Sequence, residues 1–336
     1  MGDRSHVGVI GAGAWGTALA IHLARAHSHI GLWGRNTNEL KQVDSQRENT
    51  HYLPSIPLPE NIKTCEDLPS LIENSDYLLI VVPSIALHEI CNKIASHCSK
   101  DLRGVIWACK GLELSSGKFL HEVAKEQLPR HINTAALSGP SFAIEVGKGL
   151  PTAVTIASEK LSYARDIATL FHHGAFRAYT STDVVGVEIG GTFKNILAIA
   201  AGITDGLQFG ANARSALITR GIAEMLRFGK LFKIQPETLV GLSGVGDIVL
   251  SCTDDKSRNR RLGLGLGLGR PIAEIEKEIG QVLEGKFASQ AIHQLAAKLN
   301  VELPISEQVY QVICHGKSPK LAVEELLSRD SRNEFD

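Results

Sequence analysis

Hydrophobic positions along the chain follow two different periods. Up to about residue 183 they come in short runs, at 7–10, 30–33, 77–82, 105–108, 134–137, 153–157 and 177–179. Such runs, rich in β-branched residues and bounded by Gly, Pro or polar residues, predict buried strands; YLLIVV at 77–82, stopped by Pro83, is the clearest. Between most of them the spacing turns helical, first over 14–26. Alternating strands and helices predict a doubly wound, mostly parallel sheet covered on both faces. After residue 183 the strand pattern gives out. Apolar residues then recur at helical spacing over 184–203, 211–228, 272–279, 288–299 and 305–313. The expected architecture is an N-terminal α/β domain of Rossmann type over 1–184 and a C-terminal all-α domain over 185–336. Two domains suit 336 residues at about 100–200 per domain.

Composition adds one unusual feature. Hydrophobic residues make up 43% and charged residues 21%, both ordinary, but 32 of the 336 residues are glycine, above the average of about 7%. No G-x-y period accompanies them, which excludes collagen and leaves backbone that approaches a ligand or a neighbour closely. Thirty-five basic against 36 acidic residues give a net charge of −1, which argues against nucleic acid or an anionic membrane as partner. The six cysteines form no C-x-x-C pair, and no His/Cys spacing suggests a metal site. They read as reduced thiols of a cytoplasmic protein. No signal-peptide core follows Met1, and Gly2 lacks the Ser or Thr that myristoylation wants at position six, where His6 stands. The apolar stretch 184–203 carries Glu188, Lys194 and Asn195 near its middle, so it reads as a buried helix with a function rather than a membrane span.

Glycines then locate candidate chemistry. Gly11-Ala12-Gly13-Ala14-Trp15-Gly16 is G-x-G-x-x-G between a predicted strand and a predicted helix, the context a dinucleotide fingerprint requires. Gly11 permits the turn, Gly13 admits a pyrophosphate, and Gly16 allows close helix–strand packing. The helix N-terminus at Ala14 and Trp15 offers N–H donors to phosphates. The second strand ends Trp33-Gly34-Arg35-Asn36, with an arginine where NAD-specific folds carry an acid. Arg35 reads either as a partner for a 2′-phosphate, giving an enzyme that accepts and prefers NADPH over NADH, or as a solvated loop arginine. Gly280–Lys286 matches a phosphate-loop string, but Phe287 follows where Ser or Thr is needed and a helical pattern precedes it, so that reading is rejected.

Further along, Lys194 lies mid-helix over Gly190 and Gly191. Two readings stay open: a helix packs on that bare face while the lysine snorkels outward, or a desolvated amine of lowered pKa serves as a base. Asp247, after Gly244 and Gly246, reads as an orienting carboxylate or a helix cap. Ser257, Arg258 and Asn259 read as a phosphate clamp or a solvated basic stretch.

Taken together these motifs resemble the NAD(P)-dependent glycerol-3-phosphate dehydrogenases, particularly the bacterial type. The resemblance rests on GAGAWGTALA near the start, WGR at 33–35, CKGLE at 109–113 and SGPSFAIE at 138–145. It continues through the glycine-rich segment 186–221, GLSGVGDIVLSCTD at 241–254, KSRNRR at 256–261 and GQVLEG at 280–285. Related hydroxyacid dehydrogenases carry Lys-x-x-x-Asn, where this chain has Ala198. The resemblance implies interconversion of dihydroxyacetone phosphate and sn-glycerol 3-phosphate, feeding phospholipid synthesis, by a homodimer without a metal. It implies Lys194 as the proton acceptor and donor. Lys110, Gly139, Ser141, Asp247, Ser257, Arg258 and Asn259 would contact the phosphorylated substrate. Ala14, Trp15, Arg35, Lys110, Ala143, Arg258, Val282 and Glu284 would contact the cofactor. The departure is LGLGLGLG at 262–269, expected to be a flexible segment, either a mobile flap or a neutral loop. Competing readings are a hydroxyacid or ketopantoate-type reductase and a non-catalytic dinucleotide sensor.

Overall fold

Eight strands form one sheet in the order β3-β2-β1-β4-β5-β6-β7-β8. They are β1 (His6–Ile10), β2 (His29–Trp33), β3 (Ile62–Cys65), β4 (Tyr77–Ile80), β5 (Gly104–Trp107), β6 (Asn133–Ser138), β7 (Thr152–Ala157) and β8 (Phe176–Ser181). The structure is a computed structural model and describes residues 5–329; Gly2, weighed above for lipidation, lies outside that range. All adjacent pairs are parallel except β6–β7, where Ala136 opposes Ala157 in antiparallel register. Chain order runs outward from β1 to β3, then restarts beside β1 at β4. That reversal opens a crevice at the carboxyl ends of β1 and β4, where doubly wound sheets bind ligands.

Helices α1 (Ala14–Ala24), α2 (Thr37–Gln46), α3 (Leu68–Glu73), α4 (Leu87–His97), α5 (Leu120–Gln127), α6 (Ala143–Lys148) and α7 (Leu161–Phe171) accompany the sheet. Val7, Val9, Leu32, Leu79 and Ile106 from the strands meet Leu19, Leu23 and Ile167 from α1 and α7 in its core. The edge strand β3 was not expected, because only Ile62 of its four residues is buried and so it leaves no hydrophobic run to read.

The second unit is helical: α8 (Val184–Gly206), α9 (Gly210–Gly229), α10 (Pro236–Val240), α11 (Asp247–Thr253), α12 (Arg258–Gly267), α13 (Ile272–Ile279), α14 (Glu284–Leu299), α15 (Pro304–His315) and α16 (Pro319–Leu327). By contacts it comprises Lys110–Phe119 and Val185–Asp336, so a segment from between β5 and α5 is separated from its sequence neighbours. Leu112 and Phe119 explain this, because both are buried in the helical core with Phe193 and Phe228. Helix α8 is apolar and long enough to cross a membrane, yet 89% of its apolar window is buried, which makes it the core helix.

The Leu/Gly repeat is corrected by the structure. It is not a flexible segment; residues 258–267 are α12. A Cβ on Gly263 would collide with the Ile199 carbonyl, one on Gly267 with the Ile203 carbonyl, and one on Gly202 with the Arg260 carbonyl. Gly206 likewise faces Leu264 and Gly267. The contacts advance by four residues together on both helices, from Ile199 to Ile203 against Gly263 to Gly267 and from Gly202 to Gly206 against Arg260 to Leu264, so α8 and α12 run parallel, backbone against backbone, through glycines four apart on each helix. Glycine's poor intrinsic helix propensity, about 1 kcal/mol below alanine, is outweighed by an approach that no larger residue permits. Gly265 turns the other way, onto Ile275 of α13, and Gly269 ends the segment at φ +78°.

Candidate active site

In the first unit, the backbone itself shapes the cradle. The Gly11 N–H donates to the Trp33 carbonyl (2.8 Å), and Gly11 turns at φ +125°, with the Val81 carbonyl where a Cβ would stand. A Cβ on Gly16 would strike the Gly11 carbonyl. Around Gly13 the situation is reversed: nothing lies within 4 Å of a Cβ there. Helix α1 starts at Ala14 with no side-chain cap and no acid in its first turn. Among the described residues no side chain caps its first-turn N–H groups, which fits an anionic diphosphate and hence a dinucleotide. A Cβ on Gly34 would lie 2.9 Å from the Ala12 Cβ, so exposed Arg35 borders the same loop. Beyond β6, at the same carboxyl edge, lie Gly139 at φ +145° and Ser141, whose hydroxyl donates to the Gly139 carbonyl (3.0 Å). Ala143 opens α6.

In the second unit, the bare face of α8 is occupied, though not by a packing helix. The π-helical turn Leu242–Gly246 sits there, with its Ser243 carbonyl against Gly190. Gly244 in turn abuts the Leu239 carbonyl. This seats Asp247, the first residue of α11, beside Lys194: Oδ1 is 3.9 Å from Nζ, and their side chains are 3% and 17% exposed. The lysine is therefore not snorkelling outward. Asp247 Oδ2 accepts a short hydrogen bond from Lys110 Nζ, and Oδ1 accepts one from Ser251 Oγ (3.3 Å). Two ammonium groups thus share one buried carboxylate. Burial pushes the Lys194 amine down to about 8, against the pull of Asp247, and Lys110 and Arg258 lower it further.

Helix α12 supplies the other polar group. Ser257 is its N-cap, accepting from the Arg260 N–H (3.3 Å). Asn259 Nδ2 donates to Asn195 Oδ1 (2.8 Å), and Asn259 Oδ1 accepts the Gly285 N–H (3.2 Å). The buried Asn195 Nδ2 has no partner among the described residues, leaving a donor beside Lys194. Arg258 Nη1 donates to Gln281 Oε1 (3.0 Å). Burial lowers the Arg258 pKa while nearby Glu284 raises it. Val282 is exposed, and Glu284 begins α14.

Two family models, described as the N-terminus and C-terminus of NAD-dependent glycerol-3-phosphate dehydrogenase, match residues 6–164 and 183–324. The chain belongs to this family. A glycerol-3-phosphate dehydrogenase [NAD(P)+] of Thioalkalivibrio sulfidiphilus is 49% identical over 98% of this chain and 98% of its own. The crystal structure of glycerol-3-phosphate dehydrogenase from Coxiella burnetii superposes with a TM-score of 0.93 at 43% identity, covering 97% of this chain and 99% of that one. A ketopantoate reductase from Ralstonia eutropha shares the fold, with a TM-score of 0.58 at 15% identity over 96% of this chain and 99% of its own. The protein is accordingly an NAD(P)-dependent oxidoreductase of the glycerol-3-phosphate dehydrogenase family.

Within this dehydrogenase, Lys110, Lys194 and Asp247 come together, as do Arg258, Asn259 and Ser257, all in the helical unit. The glycine loop and Arg35 adjoin one another in the sheet unit. Sequence reasoning missed the direct Lys110–Asp247 bond, the Ser251 hydroxyl, and the roles of Asn195 and Gln281 in holding Asn259 and Arg258. Asn195 was legible as a polar residue within the apolar stretch 184–203, whereas Ser251 and Gln281 carry no signal without the fold. Among the described residues, no group of three or more His, Cys, Asp or Glu is arranged to hold a metal ion. The rejected phosphate-loop string spans the C-cap of α13 at Gly280 and the start of α14, where Lys286 pairs with Glu276.

Proposed function

We propose that the protein interconverts dihydroxyacetone phosphate and sn-glycerol 3-phosphate with NADPH or NADH, and that Lys194 handles the proton. The observation that carries this reading is the buried Lys194–Asp247–Lys110 cluster. A primary amine held near 8 exchanges a proton readily around neutral pH. A nicotinamide cofactor, when bound, would supply the hydride in reduction and accept it in oxidation. In reduction, Lys194 Nζ gives its proton to the oxygen of the substrate's carbonyl as that oxygen gains charge. In oxidation, the neutral amine takes the hydroxyl proton. Asp247 offsets part of the positive charge of the two lysines and fixes their positions. Lys110, Gly139, Ser141, Asp247, Ser257, Arg258 and Asn259 contact the substrate in this reading, Arg258 and Asn259 at its phosphate. Remote phosphate binding energy then serves to position the reacting carbon.

The first turn of α1, with Gly11, Gly13, Ala14, Trp15 and Gly16, holds the cofactor diphosphate. Arg35 takes the 2′-phosphate of NADPH, and Lys110, Ala143, Arg258, Val282 and Glu284 complete the cofactor contacts. The proposal extends to a homodimeric, cytoplasmic enzyme that provides glycerol phosphate for phospholipids; light scattering giving twice the chain mass tests the assembly. The decisive experiment follows absorbance at 340 nm with dihydroxyacetone phosphate and NADPH, then NADH, for wild type and Lys194→Ala. Expected is turnover that the variant loses by about 10²–10⁴-fold, with little change in NADPH affinity. Turnover of ketopantoate but not of the phosphorylated ketone, or cofactor binding without any turnover, would replace the proposal. Wild-type rates in Lys194→Ala would remove the lysine from it.

A further inference from the structure

Helices α8 and α12 meet through glycine faces, and a glycine face has a specific weakness. It fixes how near two helices lie but presents no side chain that resists rotation or sliding. The register must come from elsewhere, and two polar pins supply it. One is the Asn195–Asn259 hydrogen bond. The other is Arg260, 8% exposed, whose Nη1 donates to Asp205 on α8 while its Nε donates to Asp255 (2.9 Å). Asp205 also accepts Arg214 Nη1 of α9 at both oxygens (2.9 and 2.8 Å). One carboxylate therefore ties α8, α9 and α12 together, and it touches none of the residues assigned to the reaction.

We propose that Asp205, acting through Arg260, is a positioning residue that sets the rotation of the first turn of α12 and so aims Arg258 at the substrate's phosphate. The proposal rests on the reading of Arg258 and Asn259 as the phosphate contacts. Consecutive residues 258, 259 and 260 point about 100° apart around a helix. Pinning Asn259 to α8 and Gly285, and Arg260 to Asp205 and Asp255, leaves Arg258 a single direction. That guanidinium is buried and hydrogen-bonds Gln281, and the strongest charge acting on it is Glu284. A buried cation so placed is suited to an incoming dianion.

The test compares wild type, Asp205→Asn and the double variant Asp205→Leu with Arg260→Met. It measures KM for dihydroxyacetone phosphate, calorimetric Kd for inorganic phosphate, Kd for NADPH and the melting midpoint. In Asp205→Asn, the KM and phosphate Kd are expected to rise at least tenfold, with NADPH Kd changed less than threefold. The double variant removes the uncompensated buried charge; its midpoint is expected to recover while KM and phosphate Kd stay raised. Unchanged KM and phosphate Kd in Asp205→Asn, or their return to wild type in the double variant along with stability, would overturn the proposal. If Asp205→Asn does not fold, the double variant decides. A wild type that turns over no dihydroxyacetone phosphate but binds phosphate would sink the functional reading and leave this one to be judged by phosphate affinity. A wild type that binds no phosphate would sink this proposal, and the functional reading would still stand or fall by turnover of dihydroxyacetone phosphate.

Discussion

Replacing Asp247 with Asn keeps the shape of the side chain and removes one charge from a buried cluster of two lysines. The lost Coulomb attraction on Lys194, at 3.9 Å, is about 1 kcal/mol at the dielectric of bulk water and about 4 kcal/mol at an effective dielectric of 20. At 1.36 kcal/mol per pH unit, that lowers the lysine's pKa by about 0.8 to 3 units. Lys110, which hydrogen-bonds the same carboxylate, would lose its counter-charge too and push in the same direction. Lys194 starts at about 8, so in wild type the protonated form dominates at pH 7 and reduction has its acid. The assay is the pH dependence of kcat/KM for reduction of dihydroxyacetone phosphate at saturating NADPH. Wild type is expected to lose rate as pH rises through about 8. The variant's limb is expected to move down by about 0.8 to 3 pH units, with the limb for glycerol 3-phosphate oxidation moving alongside it. A folded variant whose limb stays where the wild-type limb lies would refute the assignment of Lys194 as the titrating group held by Asp247.

Arg35→Ala is expected to lower the NADPH-to-NADH ratio of kcat/KM by about tenfold or more, the equivalent of one charge-assisted contact; an unchanged ratio makes Arg35 a solvated loop residue. Gly263→Ala places a methyl group against the Ile199 carbonyl and should destabilise by about 1–3 kcal/mol, more than Gly265→Ala, which meets only the flexible Ile275 side chain; equal chemical-denaturation midpoints for the two would contradict the backbone contact. His22 of α1 is buried against Phe176 of β8, stacked on His173 at 4.0 Å, and its Nε2 donates to the Phe171 carbonyl (2.7 Å). Burial drops its pKa from 6.5 to about 3, so protonation favours the unfolded chain. Its stabilising contribution is whole above pH 6.5 and is lost as pH falls toward 3, with a slope of up to about 1.4 kcal/mol per pH unit. His22→Gln should flatten the acid limb of stability measured by urea unfolding between pH 4.5 and 7; an unchanged limb would exclude His22 as its source.

Local periodicity and glycine spacing were enough to specify the α/β order, the strand–turn–helix around Gly11–Gly16, the helical second half, and Lys194 on a bare helix face. Each of these depends on residues close along the chain, where the period and the steric demands of one turn are written directly. The edge strand β3 escaped because its neighbours, not its own residues, make it a strand. The Leu/Gly repeat escaped for a related reason. Its glycines look disordering until α8 is laid against them, when Gly202 and Gly206 meet Gly263 and Gly267 and turn low propensity into close packing. The site divides in the same way. Lys194 was legible, but its partner carboxylate is 53 positions away and its companion Lys110 is 84 away, on a segment that leaves the sheet unit to bury Leu112 and Phe119 among helices. Sequence determined which residue types were present in each turn of backbone. Only the tertiary structure decided which charges share a carboxylate and which glycines face another backbone, because desolvation and contact depend on what lies across the gap rather than on what comes next in the chain.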